Sequence, residues 1–248
     1  MPAKTIDGVI EQLTEIVEWA KTNESRLGYF PALYRKVTIR VKEGIEKGEF
    51  QNGERMERLD VIFANRYLDA FAAHRNSTPL TKSWEIAFDA IHRWRPVVLQ
   101  HLLLGMNAHI DLDLGIAAAQ TVAPDELPDL KNDFNKINEI LGSLVNNVQD
   151  ELAQVWPLLK YIDKFAGKSD EFLANFGMKI TRDQAWRIAE KLSATPVAQR
   201  DAKIAELDND VVQVSKIILN PGYLLRLFLL FVRFGERHSI AEIIEILE

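Results

Sequence analysis

His101, Gly105, His109 and Asp113 recur every four residues inside the apolar segment Val97 to Ala119, VVLQHLLLGMNAHIDLDLGIAAA. On a helix, four-residue steps stack side chains into one slowly drifting stripe. His109 and Asp113 form an i, i+4 pair, close enough to grip one metal ion or to let a carboxylate orient an imidazole and raise its basicity. A helix that is apolar on nearly every side belongs in the interior. Burying imidazole and carboxylate groups there costs several kcal/mol unless each finds a partner. The stripe is therefore where an active or binding site is expected. The plainer account is that these groups satisfy one another and nearby backbone in a crowded core.

Two chemistries fit the residue types equally well. A metal would take His101, His109 and Asp113, with Asp60 as a further donor, because two histidines and one carboxylate make an open site suited to Zn, Mn or Fe. Metal-free acid–base catalysis would use a His–Asp pair from the same set. Gly105, between the histidines, is expected to leave room for a substrate or metal. Gln100, Asn107 and Asp111 share a second side, better suited to hydrogen bonds with neighbouring helices. Farther upstream, Asp60, Tyr67 and His74 lie at i, i+7 and i+14 on the apolar side of a helix expected over about 54–74. Its polar side holds Arg58, Asn65, Arg66 and Asp69. The structural account of that line is a buried Asp–Tyr hydrogen bond with His74 half-exposed. Glu85, Asp89 and His92 form a similar-looking face, but Ile86, Ala87, Phe88, Ala90, Ile91 and Trp94 oppose it, so that face is expected in solvent.

The elements that must position these residues read as helices from end to end. Ile6, Val9, Ile10, Leu13, Ile16, Val17 and Ala20 follow amphipathic spacing. Pro31 suits the first turn of a helix through PALYRKVTIRVKEGIEKGEF, within which KVTIRV is the one stretch that could instead form a strand. Pro124 to Asp133 reads as a connector and a weak domain boundary near 124–133. A further run is expected over Asn135 to Phe165, kinked at Pro157. Thr181 to Leu192, Val197 to Leu219 and Ile240 to Leu247 complete the set. The fold expected is all-α: a single domain over 1–248 with about eight to eleven helices around a buried central helix at 97–120.

Composition narrows the function classes. The chain has 248 residues, 47% hydrophobic and 27% charged, with net charge −6, which argues against a nucleic-acid phosphate footprint. Zero cysteines exclude disulfides and thiolate sites. The N-terminus lacks the basic-then-apolar pattern of a leader, and no stretch of 18 uncharged apolar residues supports a membrane span. Tyr223 to Phe234, YLLRLFLLFVRF, comes nearest; Arg226 and Arg233 interrupt it, and it is expected to be a core helix with two snorkelling arginines rather than an interfacial anchor. A cytoplasmic location is the default. Walker, GxGxxG, GxSxG, EF-hand and HExxH patterns are absent, as is the paired Glu-x-x-His of di-iron bundles.

LGYFPALYRKVT, ERLDVIFANRYLDAF and HLLLGMNAHIDLDLG together resemble an uncharacterised, mainly bacterial family of unknown function with similar segments. The resemblance covers roughly residues 25 to 120. It implies shared ancestry and supplies no activity. The matching positions are Phe30, Pro31, Tyr34, Arg35, Asp60, Asn65, Arg66, Tyr67, Asp69, His101, Asn107, His109 and Asp113.

The functional expectation is an enzyme of hydrolase or lyase type, acting on a small, largely apolar substrate in a buried site between the 54–74 and 97–120 helices. His101, His109 and Asp113 would bind a divalent metal or act as acid and base, with Asp60 and Tyr67 as supporting groups or proton relay. The alternative is a non-catalytic helical binding or scaffold protein whose buried polar residues fix packing.

Overall fold

A computed structural model describes residues 1–137, 154–155, 179–236 and 238–248. Apolar spacing of about 3.6 residues dictates the architecture, because each helix must bury one stripe against its neighbours. Among the described residues there is no strand, and the protein is all-helical. Helix α1 spans Ile6–Thr22, α2 Tyr29–Glu46, α3 Gly53–Arg75 and α4 Lys82–Asp89. Helix α5 runs through Val98–Thr121, α6 is Lys179–Ser193, α7 Arg200–Leu219, α8 Tyr223–Gly235 and α9 Ile240–Leu247. KVTIRV lies inside α2, so its β-branched residues are overridden by packing.

Local chemistry fixes the helix ends. Thr5 Oγ1 accepts the Gly8 N–H and Asn52 Oδ1 accepts the Arg55 N–H, capping α1 and α3. Two buried carboxylates cap helices in other parts of the chain. Asp133 accepts the N–H groups of Gln51 and Asn52 at 2.6 and 3.1 Å, and Arg55 at 2.9 Å, ahead of α3. Asp208 on α7 accepts the N–H groups of Lys82 and Ser83 at 2.6 and 3.1 Å, the first turn of α4. Each satisfies two donors that a helix start leaves without partners.

Helix α5 is the axis of the molecule. It is long and apolar enough to cross a membrane by composition alone, but 89% of that stretch is buried within the protein. Helices α2, α3 and α4 pack on it, with α1 lying on α2 and α3, and α6 and α7 pack on it as well. Gly115 makes the second contact possible, since a Cβ there would meet the Ala185 carbonyl oxygen at 2.6 Å. The segment 124–133 is no break in the core: Ala117, Leu130, Phe134 and Trp186 share one apolar cluster. The run expected over 135–165 lies, beyond residue 137 and apart from 154–155, outside the described residues.

Helix α8 departs from expectation. Only Val232 of α8 is buried, while Tyr223, Leu224, Leu227, Phe231 and Phe234 face outward, so it is not a core helix. Pro221 and Gly222, the latter at φ +90°, turn the chain by 65° after α7 and carry α8 away from the interior.

Candidate functional site

The middle of α5 is not a regular α-helix. Over His109–Asp113 the turn widens to a π-helix, and the Leu114 N–H reaches back to the His109 carbonyl. Single π turns inside α-helices concentrate at functional sites. This one carries both polar residues of the central pair, and three helices bring side chains toward it. Helix α2 contributes Phe30 and Tyr34, α3 contributes Asp60, Phe63, Arg66 and Tyr67, and α4 contributes Trp84.

Asp113 is fully buried and is satisfied from three directions. The Arg66 Nε–H donates to Oδ1 at 2.7 Å, and the Trp84 indole N–H donates to Oδ2 at 2.8 Å. His109 Nδ1 lies 3.4 Å from Oδ2. Burial works against the charge on Asp113, yet Arg66 and His109 outweigh it and hold its pKa below the usual carboxylate value. With Asp113 ionised, the imidazole proton belongs on Nδ1, where it can donate to the carboxylate. That leaves Nε2 with a free lone pair. Burial pushes the His109 pKa down, only partly opposed by the Asp113 hydrogen bond, so the ring is neutral near pH 7.

Five aromatic rings pack around the imidazole. Phe63 stacks on it at 3.6 Å between centroids and 9° between planes. Tyr34 meets it edge-on at 4.5 Å, with Phe30, Trp84 and Tyr67 at 5.6 to 6.1 Å. Among the described residues, three buried polar atoms of this box have no partner, His109 Nε2, Tyr34 Oη and Tyr67 Oη, and neither has Asp60 Oδ2, whose charge acts on Tyr34. Burial raises the Tyr34 and Tyr67 phenol pKa values, and the Asp60 charge adds to the shift at Tyr34. Burial also lifts Asp60 to about 7. Asp60 and Tyr67 therefore do not form the hydrogen bond that their spacing permits.

His101 is not part of this constellation. It packs edge-on against Tyr29 at 5.8 Å, both ring nitrogens lack partners among the described residues, and burial, with Arg26 and Arg233 nearby, pushes its pKa down to about 3. Gly105 leaves no open approach between the histidines: a Cβ there would lie 2.5 Å from Phe30 Cδ2, so the phenyl ring already occupies the gap. Among the described residues no three His, Cys, Asp or Glu side chains form a group able to hold a metal. His101, His109 and Asp113 are accordingly not assembled as one ligand set. A cavity of about 20 Å³ remains beside the box, lined by Arg26, Phe30, Tyr67, Trp84, His101 and Gly105. That is room for about one water molecule.

Other expected roles sort cleanly. Gln100 Nε2 donates to the Ile218 carbonyl at 2.6 Å, and Asn107 Nδ2 donates to Val211 and Ser215, all on α7, as hydrogen bonds between helices. Asp111 has an unpartnered Oδ1 and is lifted by burial to about 7. His74 is half-buried on Phe88, while Glu85, Asp89 and His92 are exposed. Arg66 departs from the polar side assigned to it by folding its guanidinium back to Asp113. Trp84 carried no sequence signal beyond its place on an apolar face. Asp133 and Asp208 carried none at all, because a cap supplied by a distant segment has no local pattern.

Comparison with known proteins extends the resemblance read from residues 25 to 120. No curated protein and no solved structure matches the chain. A family model described as "Family of unknown function (DUF5995)" matches residues 6–221, which takes in every residue of the aromatic box, and the chain belongs to that family.

Proposed function

We propose that the protein is an enzyme in which the His109–Asp113 pair acts as general base and then general acid on a small, largely apolar molecule, in hydrolysis or a lyase-type elimination. The observation that carries this reading is the Nε2 of His109, unpartnered among the described residues, beside the similarly unpartnered hydroxyls of Tyr34 and Tyr67 in a box of aromatic rings. Native proteins satisfy nearly all buried polar groups, so an orphaned imidazole nitrogen beside two orphaned phenols argues for a molecule that completes them. Asp113 would fix the tautomer and stabilise the imidazolium formed when Nε2 takes a proton. Tyr34 and Tyr67 would donate to a substrate oxygen, and Asp60, lifted to about 7, could exchange a proton near neutral pH. Arg66 and Trp84 would hold Asp113 in place.

One observation favours the second reading, a non-catalytic helical protein whose polar core fixes packing. His109 is only 1% exposed and Asp113 is fully buried, and the adjoining cavity admits about one water. Under the enzymatic reading the box must open, through movement of Phe30 or α4, before substrate enters.

A panel of small aryl esters, lactones and β-elimination substrates, assayed with wild type and His109→Gln, tests the proposal. Expected is a turnover that falls by roughly 10²–10⁴-fold in His109→Gln while the melting temperature is kept. Turnover equal in the two proteins, or absent from both while His109→Gln alone unfolds, supports the packing role.

A further inference from the structure

We infer that α8 and the Arg93–Arg95 corner form a docking surface for an anionic lipid bilayer, held at the membrane–water interface without spanning it. Trp94, Tyr223, Leu224, Leu227, Phe231 and Phe234 are all exposed, at 48–80%. The α8 members among them fall within one broad stripe of the helix, and Trp94 joins it through an edge-on ring contact with Phe234 at 5.5 Å. Isolated apolar residues on a surface need no explanation, but a contiguous aromatic and leucine face marks an interaction site.

The charges beside this face select its occupant. A cavity of about 440 Å³ flanks α8, and Arg93, Arg95 and Arg226 all line it, while among the described residues no carboxylate does. None of the three guanidinium groups forms an ion pair or hydrogen bond among the described residues. Glu236, at the end of α8, is already committed to Arg233 at 3.0 Å and to the Val98 N–H at 2.9 Å. In a chain of net charge −6, three free arginines around an apolar face are a local reversal of sign. In a two-fold contact of this patch with itself, a second copy of the chain would bring these cations against one another, with no carboxylate among the described residues of the patch to meet them. Phosphate headgroups provide the opposite charge, and acyl chains accept the rings and leucines. The family match ends at residue 221, so α8 lies beyond the portion that carries the aromatic box, and this surface does not depend on the acid–base reading.

Flotation of the full chain with unilamellar vesicles tests the inference. Expected is co-flotation with phosphatidylcholine–phosphatidylglycerol vesicles, weakened by added salt, and little with phosphatidylcholine alone. The variant Arg93→Gln/Arg95→Gln/Arg226→Gln should lose on the order of a hundredfold in affinity for the anionic vesicles. Leu227→Gln/Phe231→Gln should lose binding to a similar degree with an unchanged melting temperature, because both residues are largely exposed. Absence of flotation with either vesicle type would overturn the inference. So would undiminished binding by both variants, or a wild-type dimer in sedimentation that Leu227→Gln/Phe231→Gln converts to monomer.

Discussion

Trp84 shows how a residue without a motif can hold a site together. Its ring fills space beside Phe30, Tyr67 and Phe88, and its N–H supplies the 2.8 Å hydrogen bond to Asp113 Oδ2. Trp84→Phe keeps most of the packing and removes the donor. It should cost about 1–3 kcal/mol in urea unfolding, the usual result of leaving a buried acceptor short of a partner. Asp60 gives a pH-dependent counterpart. Its folded pKa, about 7, lies above the unfolded value near 3.9, so the folded state retains the proton more tightly. Stability from this group is complete below about pH 4 and is lost as pH rises toward 7. Asp60→Asn should therefore flatten the stability profile between those values and raise stability at pH 7. An unchanged slope would show that Asp60 finds a partner for its charge. The stripe of His101, His109 and Asp113 was legible from spacing and apolar context alone. Which of its members meet was not, because Phe30, 75 residues from Gly105 in sequence, fills the gap between the histidines.

At the scale of the element, the decisive feature is the π turn at His109–Asp113. The expected helix at 97–120 is present nearly to the residue, yet angular placement at 100° per residue assumes a regular α-helix throughout. An inserted π turn changes the register of everything after it, and no local sequence rule announces one. Helix α4 is a second case. It has only eight residues, too short to be stable by propensity, and its first turn is anchored by Asp208 from α7. Asp208→Ala should cost about 1–2 kcal/mol and weaken the Trp84 contact with Asp113. Amide exchange should rise selectively in α4, and a uniform rise across all helices would contradict this local role. Helix α8 failed the sequence reading for a different reason. Hydropathy reports how apolar a helix is, and it cannot tell a buried helix from one whose apolar face is turned outward for a partner.

For the molecule as a whole, helical periodicity gave the all-α class, most element boundaries and a core centred on α5. What composition alone could not supply was the set of long-range ties: Asp133 to the α3 entrance, Asp208 to α4, and α9 back onto α1 and α2. Ile243, Ile244 and Leu247 of α9 are buried beside Val17, Ala20 and Tyr29, and Glu248 pairs with Lys21 and Arg35. Truncation after Ser239 should remove roughly 5 kcal/mol or more of apolar burial, comparable to the whole stability of an ordinary domain. Such a chain is predicted to lose its cooperative thermal transition, whereas substitutions on the exposed face of α8 leave it intact. The most direct measurement of the central claim is the ¹⁵N chemical shift of the His109 imidazole in wild-type protein, followed with pH. The expected ring is neutral at pH 7 with the proton on Nδ1 and a bare Nε2, titrates below the usual histidine value, and loses that tautomer preference in Asp113→Asn. A His109 ring protonated at Nε2 at pH 7 would rule out this role for the His109–Asp113 pair.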